Sequence, residues 1–199
     1  MRNKIFTIAT IIIAATVLSL TASAQEKSSA KARLFNLVSA AKQGKAKLNP
    51  QLAKRVRDAF SEERTAAPET NFPSIVGSWN CHVPTSDGGN APFDALQTFA
   101  ADGTFVETSS LLGMGGEGPA HGAYERIRRG YALTFELFVF DPETGESVGR
   151  VRVRAAIKMS SSNSFDAETA VDFIEPDGTV IPDIDGGPFS ATRLQVYGN

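Results

Sequence analysis

The sequence predicts a mainly β protein: an eight-stranded antiparallel meander barrel, preceded by a signal peptide and a short helical arm. Three observations carry this. From Ile75 onward the apolar period switches from helical to alternating. Eight alternating runs then follow one another with short, turn-rich connections and no helical pattern between them, the order of an up-and-down barrel. Finally, the first 24 residues have the layout of an export signal and stand apart from the fold.

Arg2 and Lys4 form a positive start, Ile5 to Leu20 an apolar run, and Ala22-Ser23-Ala24 an A-x-A cleavage signature. The apolar run is shorter than the roughly 20 residues of a membrane-spanning helix. The expected mature chain therefore starts at about Gln25 and works outside the cytoplasm, secreted or periplasmic. Residues 25–70 form the arm and linker. Leu34, Leu37, Val38 and Ala41 recur at helical spacing before Gly44. Asn49-Pro50 then reads as an N-cap and first helical residue, with Leu52, Val56 and Phe60 as an apolar stripe. Residues 65–73 hold two prolines and end the helical region.

The barrel domain is expected over 71–199. Its strands are expected at Val76–Pro84, Phe93–Ala100, Thr104–Ser110, Pro119–Ile127, Tyr131–Asp141, Ser147–Met159, Phe165–Glu175 and Phe189–Tyr197. Alternation places Val151, Val153, Ala155, Ile157 and Met159 inward, with Arg150, Arg152, Arg154 and Lys158 outward. Phe165, Ala167, Thr169, Val171 and Phe173 form the inward set of the next strand. If Ile157 pairs with Ala167, Lys158 faces Asp166 and Arg152 faces Asp172, so the arginine row reads as a solvated ladder of opposite charges. A two-residue Asp102-Gly103 turn would pair Phe99 with Val106 and turn Gln97 and Thr108 inward.

Composition excludes several classes. The single cysteine, Cys81, forms no internal disulfide, and it reads as a small buried hydrophobe beside inward Trp79. Two histidines, His82 and His121, leave little material for a histidine metal site, and no metal is expected. The net charge of −2 does not suit a chain built for nucleic acid. Charge is uneven along the chain: 25–70 holds ten basic and five acidic residues, and 71–199 holds eight and seventeen. The arm thus either lies on the acidic domain or faces an anionic envelope surface. Gly113-Met114-Gly115-Gly116-Glu117-Gly118 matches a dinucleotide fingerprint in letters, but Pro119 and a strand follow where a helix N-terminus is needed. Asp183-Ile184-Asp185-Gly186-Gly187 lacks the further oxygen ligands and closing glutamate of a calcium loop, and reads as an acidic turn. No cofactor is expected.

Gly77-Ser78-Trp79 at the head of the first strand and Arg193 on the last resemble the calycin superfamily, the lipocalins and their relatives. Residues 119–141 look like bacterial lipocalin-like proteins of uncharacterised function. The resemblance implies a barrel floor in which Arg193 stacks on Trp79, with Gly77 and Arg193 in structural roles. It departs from secreted lipocalins in lacking their T-D-Y turn and disulfides. The expected function is binding of a small apolar molecule inside the barrel. The expected liners are Trp79, Gln97, Phe99, His121, Tyr124, Phe135, Val153, Val171 and Phe173, with His121 inward only if a bulge shifts the frame of its strand. No catalytic residues are assigned. Two other classes remain: an isomerase or cyclase using the same interior, and a filled-core envelope interaction module.

Overall fold

The computed structural model describes residues 36–45, 49–62, 72–84, 92–110, 118–128 and 130–196. The expected signal segment, most of the 65–73 linker and the glycine-rich stretch through Glu117 lie outside them. Two helices precede the sheet: α1, helical over 36–42, and α2 over Pro50–Glu62. The strands are β1 (Gly77–Val83), β2 (Phe93–Phe99), β3 (Thr104–Ser109), β4 (Ala120–Ile127), β5 (Gly130–Phe140), β6 (Ser147–Met159), β7 (Ser164–Ile174) and β8 (Val180–Arg193). They form one closed antiparallel barrel in sequence order, with β1 and β8 sealing it through Trp79↔Arg193 to His82↔Ser190.

Parity explains the wall. On β5, Tyr131, Leu133, Phe135, Leu137 and Val139 are buried, and on β6 so are Val151, Ala155, Ile157 and Met159. Ile157 pairs with Ala167, so Lys158 stands opposite Asp166 and Arg152 opposite Asp172, in the register expected from the sequence. The arginines nonetheless find their carboxylates elsewhere: Glu136 faces Arg152 directly from β5 and lies diagonal to Arg150, and Asp172 lies diagonal to Arg154. Arg150 and Arg152 both reach Glu136 at 2.8 Å, and Arg154 reaches Asp172 at 2.8 Å.

Two sequence expectations are corrected. The β2–β3 turn has three residues, not two: Ala100 N–H donates to the Thr104 carbonyl and Gly103 N–H to the Ala100 carbonyl, with Gly103 at φ +89°. Asp102 Oδ1 accepts from both the Thr104 amide and hydroxyl, which holds this loop and keeps the Asp102 carboxyl below its usual range. One extra residue exchanges the faces of β3. Phe99 consequently pairs with Phe105, and Gln97 with Glu107, while Val106 and Thr108 point out. The second correction concerns β8, which starts at Val180 rather than Phe189 and takes in the segment read as an acidic turn. Its breakers sit where a sheet tolerates them. Pro182 falls in the register shift between Phe173↔Ile181 and Val171↔Asp185. Pro188 precedes the residues that pair with β1, so its missing N–H lies on an unpaired side.

The arm packs on the barrel. Asn49 caps α2, its Oδ1 accepting from Gln51 N–H at 2.9 Å. Leu52, Ala53 and Val56, with Phe60 beside them, cover Ala170 on the outside of β7. Arg55 pairs with Glu168 at 2.9 Å and Arg57 with Asp183 at 2.6 Å. Arg154, beneath, links buried Asp172 to Asp183 at 2.9 Å, and Asp172 Oδ1 also accepts the amide of Asp183, a residue held at φ +53°. Leu37, Val38 and Ala41 of α1 belong to the same core as the inward barrel residues. Lys42 reaches Glu175 at 3.2 Å and lies 5.3 Å from the Phe173 ring centre, so α1 packs at the end of the barrel where β7 turns into β8.

Candidate functional site

The barrel interior is the candidate site, and its two ends differ. At the floor, Trp79 is fully buried and its Nε1–H donates to the Ile75 carbonyl at 2.8 Å. Arg193 Cζ lies 4.2 Å from the indole ring centre. Its three nitrogens donate to the carbonyls of Ser162, Val76 and Ser74 at 2.8, 2.6 and 2.7 Å. Gly77 makes this possible: at φ +132° it takes a backbone shape that L side chains rarely adopt, and a Cβ there would sit 2.5 Å from the guanidinium. The G-x-W spacing thus has a local reason. The glycine clears room for the arginine that covers the tryptophan one strand-step further on.

Above Trp79 the rings interlock edge to face. Trp79 meets Phe165 at 4.8 Å, and Phe99 meets Phe105 at 4.9 Å and Tyr124 at 5.2 Å. Phe105 lies 5.1 Å from Phe135. Tyr124 turns its hydroxyl to the Ala100 carbonyl at 2.5 Å and Tyr131 to the Pro73 carbonyl at 3.0 Å, so both polar tips leave the ring cluster. Burial, chiefly, raises the Tyr124 phenol above its ordinary range.

Beyond the rings the wall formed by β1 to β4 mixes small side chains with Val83 and Phe93, which pack against the same core. Cys81 is 1% exposed opposite Ala95, and Ala120 and Ser109 are also buried. Across from them Val153 pairs with Val171, both half-buried against the core, and fully buried Phe173 lies under Lys42 of α1. Within this wall stands a polar pair that the sequence reading supplied only in part. Gln97 is 3% exposed, and its Nε2 donates to Glu107 Oε2 at 2.5 Å. Only the amide nitrogen can donate to a carboxylate, which fixes the amide orientation and leaves Oε1 as an acceptor. That Oε1 is buried and meets no hydrogen-bond donor among the described residues. Burial first, and the Glu107 charge second, push the Cys81 thiol far above its ordinary range, so the sulfur stays a neutral thiol. Asp185 is a further buried carboxylate, opposite Val171 in register.

Among the expected liners, Trp79, Gln97, Phe99, Tyr124, Phe135, Val153, Val171 and Phe173 face the interior or pack against its core. His121 does not. It lies exposed on the outer face, opposite Val106 and Glu136, because Gly122 and Tyr124 take the inward positions of β4 without a bulge. Glu107 was missed because the two-residue turn put it outside. A separate groove of about 530 Å³ lies on the outer surface, between Arg55 and Ala59 of α2 and His82, Lys158 and Ser190 of the barrel.

No protein-family model, curated protein or solved structure matches this chain.

Proposed function

We propose that this protein is a secreted or periplasmic calycin-type, lipocalin-like barrel that binds a small, largely apolar molecule in its interior. The observation that carries the reading is the mixed wall: interlocked rings at the floor, then the small side chains of Cys81, Ala95, Ser109 and Ala120 on adjoining strands, with Val153 and Val171 of β6 and β7 packed against the core yet only half-buried. A few fixed polar groups in a mostly apolar lining are what small-molecule sites present. The Trp79–Arg193 clamp supports the calycin relation, and residues 1–24 support export. The test is titration of the full mature chain with N-phenyl-1-naphthylamine, followed by probe emission and by quenching of Trp79. Saturable one-to-one binding is expected. Absence of binding up to the solubility limit of the probe overturns the reading.

A second reading, an isomerase or cyclase acting on an apolar substrate, is favoured by one feature: Glu107 brings a carboxylate to the inner wall, a group able to take and return a proton. It is tested by incubating bound candidate polyenes and enones with wild type and Glu107→Gln. Turnover lost in the variant while affinity is retained would select it.

A further inference from the structure

We infer that Gln97 Oε1 is a recognition point for a hydrogen-bond donor on the ligand, so that the barrel selects apolar molecules bearing a hydroxyl group over equally sized ones that can only accept. The inference rests on the ligand-binding reading above and specifies its chemistry.

The geometry leads there in three steps. Gln97 is fixed on both sides of β2. It stands opposite Trp79 on β1, whose own N–H is spent on the Ile75 carbonyl, and opposite Glu107 on β3, which accepts its Nε2. The amide is thereby oriented before any ligand arrives, with its oxygen the end left over. Second, a buried amide oxygen lacking a donor forfeits its hydration without repayment, and native cores seldom retain one without a use. Gln97 Oε1 is such an atom, on a residue 3% exposed. Third, the side chains nearest in register offer it no donor. Phe99 and Ala95 flank Gln97 on the inner face of β2, and the Cys81 thiol is at best a weak donor. An acceptor held rigidly among rings and small apolar groups is complementary to an O–H carried on a hydrocarbon body. An ether oxygen or an ionised carboxylate placed there has no proton to give, and each would leave two acceptors facing one another.

The test is displacement of bound N-phenyl-1-naphthylamine from the full mature chain by decan-1-ol, 1-methoxydecane and decanoate at pH 8. Decan-1-ol is expected to displace the probe about tenfold more tightly than its methyl ether, and decanoate to be the weakest. In Gln97→Leu the alcohol and the ether are expected to become equal, each displacement being referred to the affinity of that variant for the probe, whose own amine N–H can also donate to Oε1. Gln97→Met, unbranched like glutamine, gives the same comparison should the leucine variant not fold by far-ultraviolet circular dichroism. Equal displacement by alcohol and ether in the wild type, as a solvent molecule resident on Oε1 would give, overturns the donor inference and leaves ligand binding standing. A preference that survives both substitutions overturns it too. Failure of the probe and all three ligands to bind overturns the ligand reading, and the inference falls with it.

Discussion

Replacing Arg193 with alanine removes four contacts at once, and their size can be worked from the structure. The guanidinium lies 4.2 Å from the Trp79 ring centre, a contact of about 0.5–2 kcal/mol depending on desolvation. It also donates at 2.6–2.8 Å to three carbonyls in two separate parts of the floor: Ser74 and Val76 before β1, and Ser162 in the β6–β7 turn. Hydrogen bonds to a charged group contribute about 1.5–3 kcal/mol each when buried. Here the arginine is half-buried and water can replace part of each bond, so about 1 kcal/mol apiece is the better figure. The expected loss is then about 4 kcal/mol, or roughly 8–16 °C in Tm for a chain of this size. The assay is urea and thermal unfolding read by far-ultraviolet circular dichroism and by emission of Trp79, the single tryptophan. Emission is expected to shift to the red in the folded variant, as water reaches the indole. Arg193→Lys should recover only a small part of the loss, because one ammonium cannot fork to three carbonyls. A loss under about 1 kcal/mol, with unchanged emission, would refute the view that this residue clamps the floor.

Other outcomes follow from other parts of the fold. Gly77→Ala is expected to cost about 2–3 kcal/mol, from a positive φ together with a Cβ at 2.5 Å from the Arg193 guanidinium; a melting temperature within 2 °C of wild type would contradict this. Arg154→Met should cost about 3–5 kcal/mol, because it leaves Asp172, 5% exposed, without its cation, whereas Lys54→Met on exposed α2 should cost under 0.5 kcal/mol. Cys81 is expected to resist a thiol reagent such as dithionitrobenzoate for hours in the native state at pH 8 and to react within seconds in denaturant; rapid native labelling would show an open wall at β1. Because the folded thiol titrates far above the unfolded one, its contribution is complete below about pH 8.5 and is lost as pH rises beyond that, by roughly 1.4 kcal/mol per unit. Cys81→Ala should flatten that alkaline slope in denaturant midpoints measured from pH 8 to 10.

Most of the barrel was legible because burial on one face writes itself into alternation. The β6–β7 register could be set from the sequence by matching two inward sets, and it places Lys158 opposite Asp166. The β2–β3 hairpin could not be settled in the same way. Phe105 and Val106 are adjacent apolar residues, so either parity satisfies the pattern, and Asp-Gly suits both a two-residue and a three-residue turn. Thr104 after Asp102-Gly103 was the available clue, since both its donors are taken by Asp102 in the longer loop. That single residue decides whether Glu107 is a surface charge or the partner of Gln97. Strand β8 was obscured by two prolines and two glycines, whose tolerance depends on which side of the strand has a neighbour, a fact of tertiary pairing. The amphipathic stripe of α2 announced that the helix would bury a face, but not that Ala170, small and on the outside of β7, would be its seat.

The seam between β1 and β8 has a consequence in time. Arg193 reaches 117 residues back along the chain to the Val76 carbonyl, while every other strand pair in the barrel joins sequence neighbours. A contact across so long a loop repays its closure entropy only after the seven hairpin pairings have drawn the ends together. The seam is therefore expected to form late, and until it does the edges of β1 and β8 stand open to pairing with other chains. Substitutions at the clamp should accordingly quicken unfolding far more than they slow folding. The interval before β8 docks on β1 is when this protein is most exposed to aggregation.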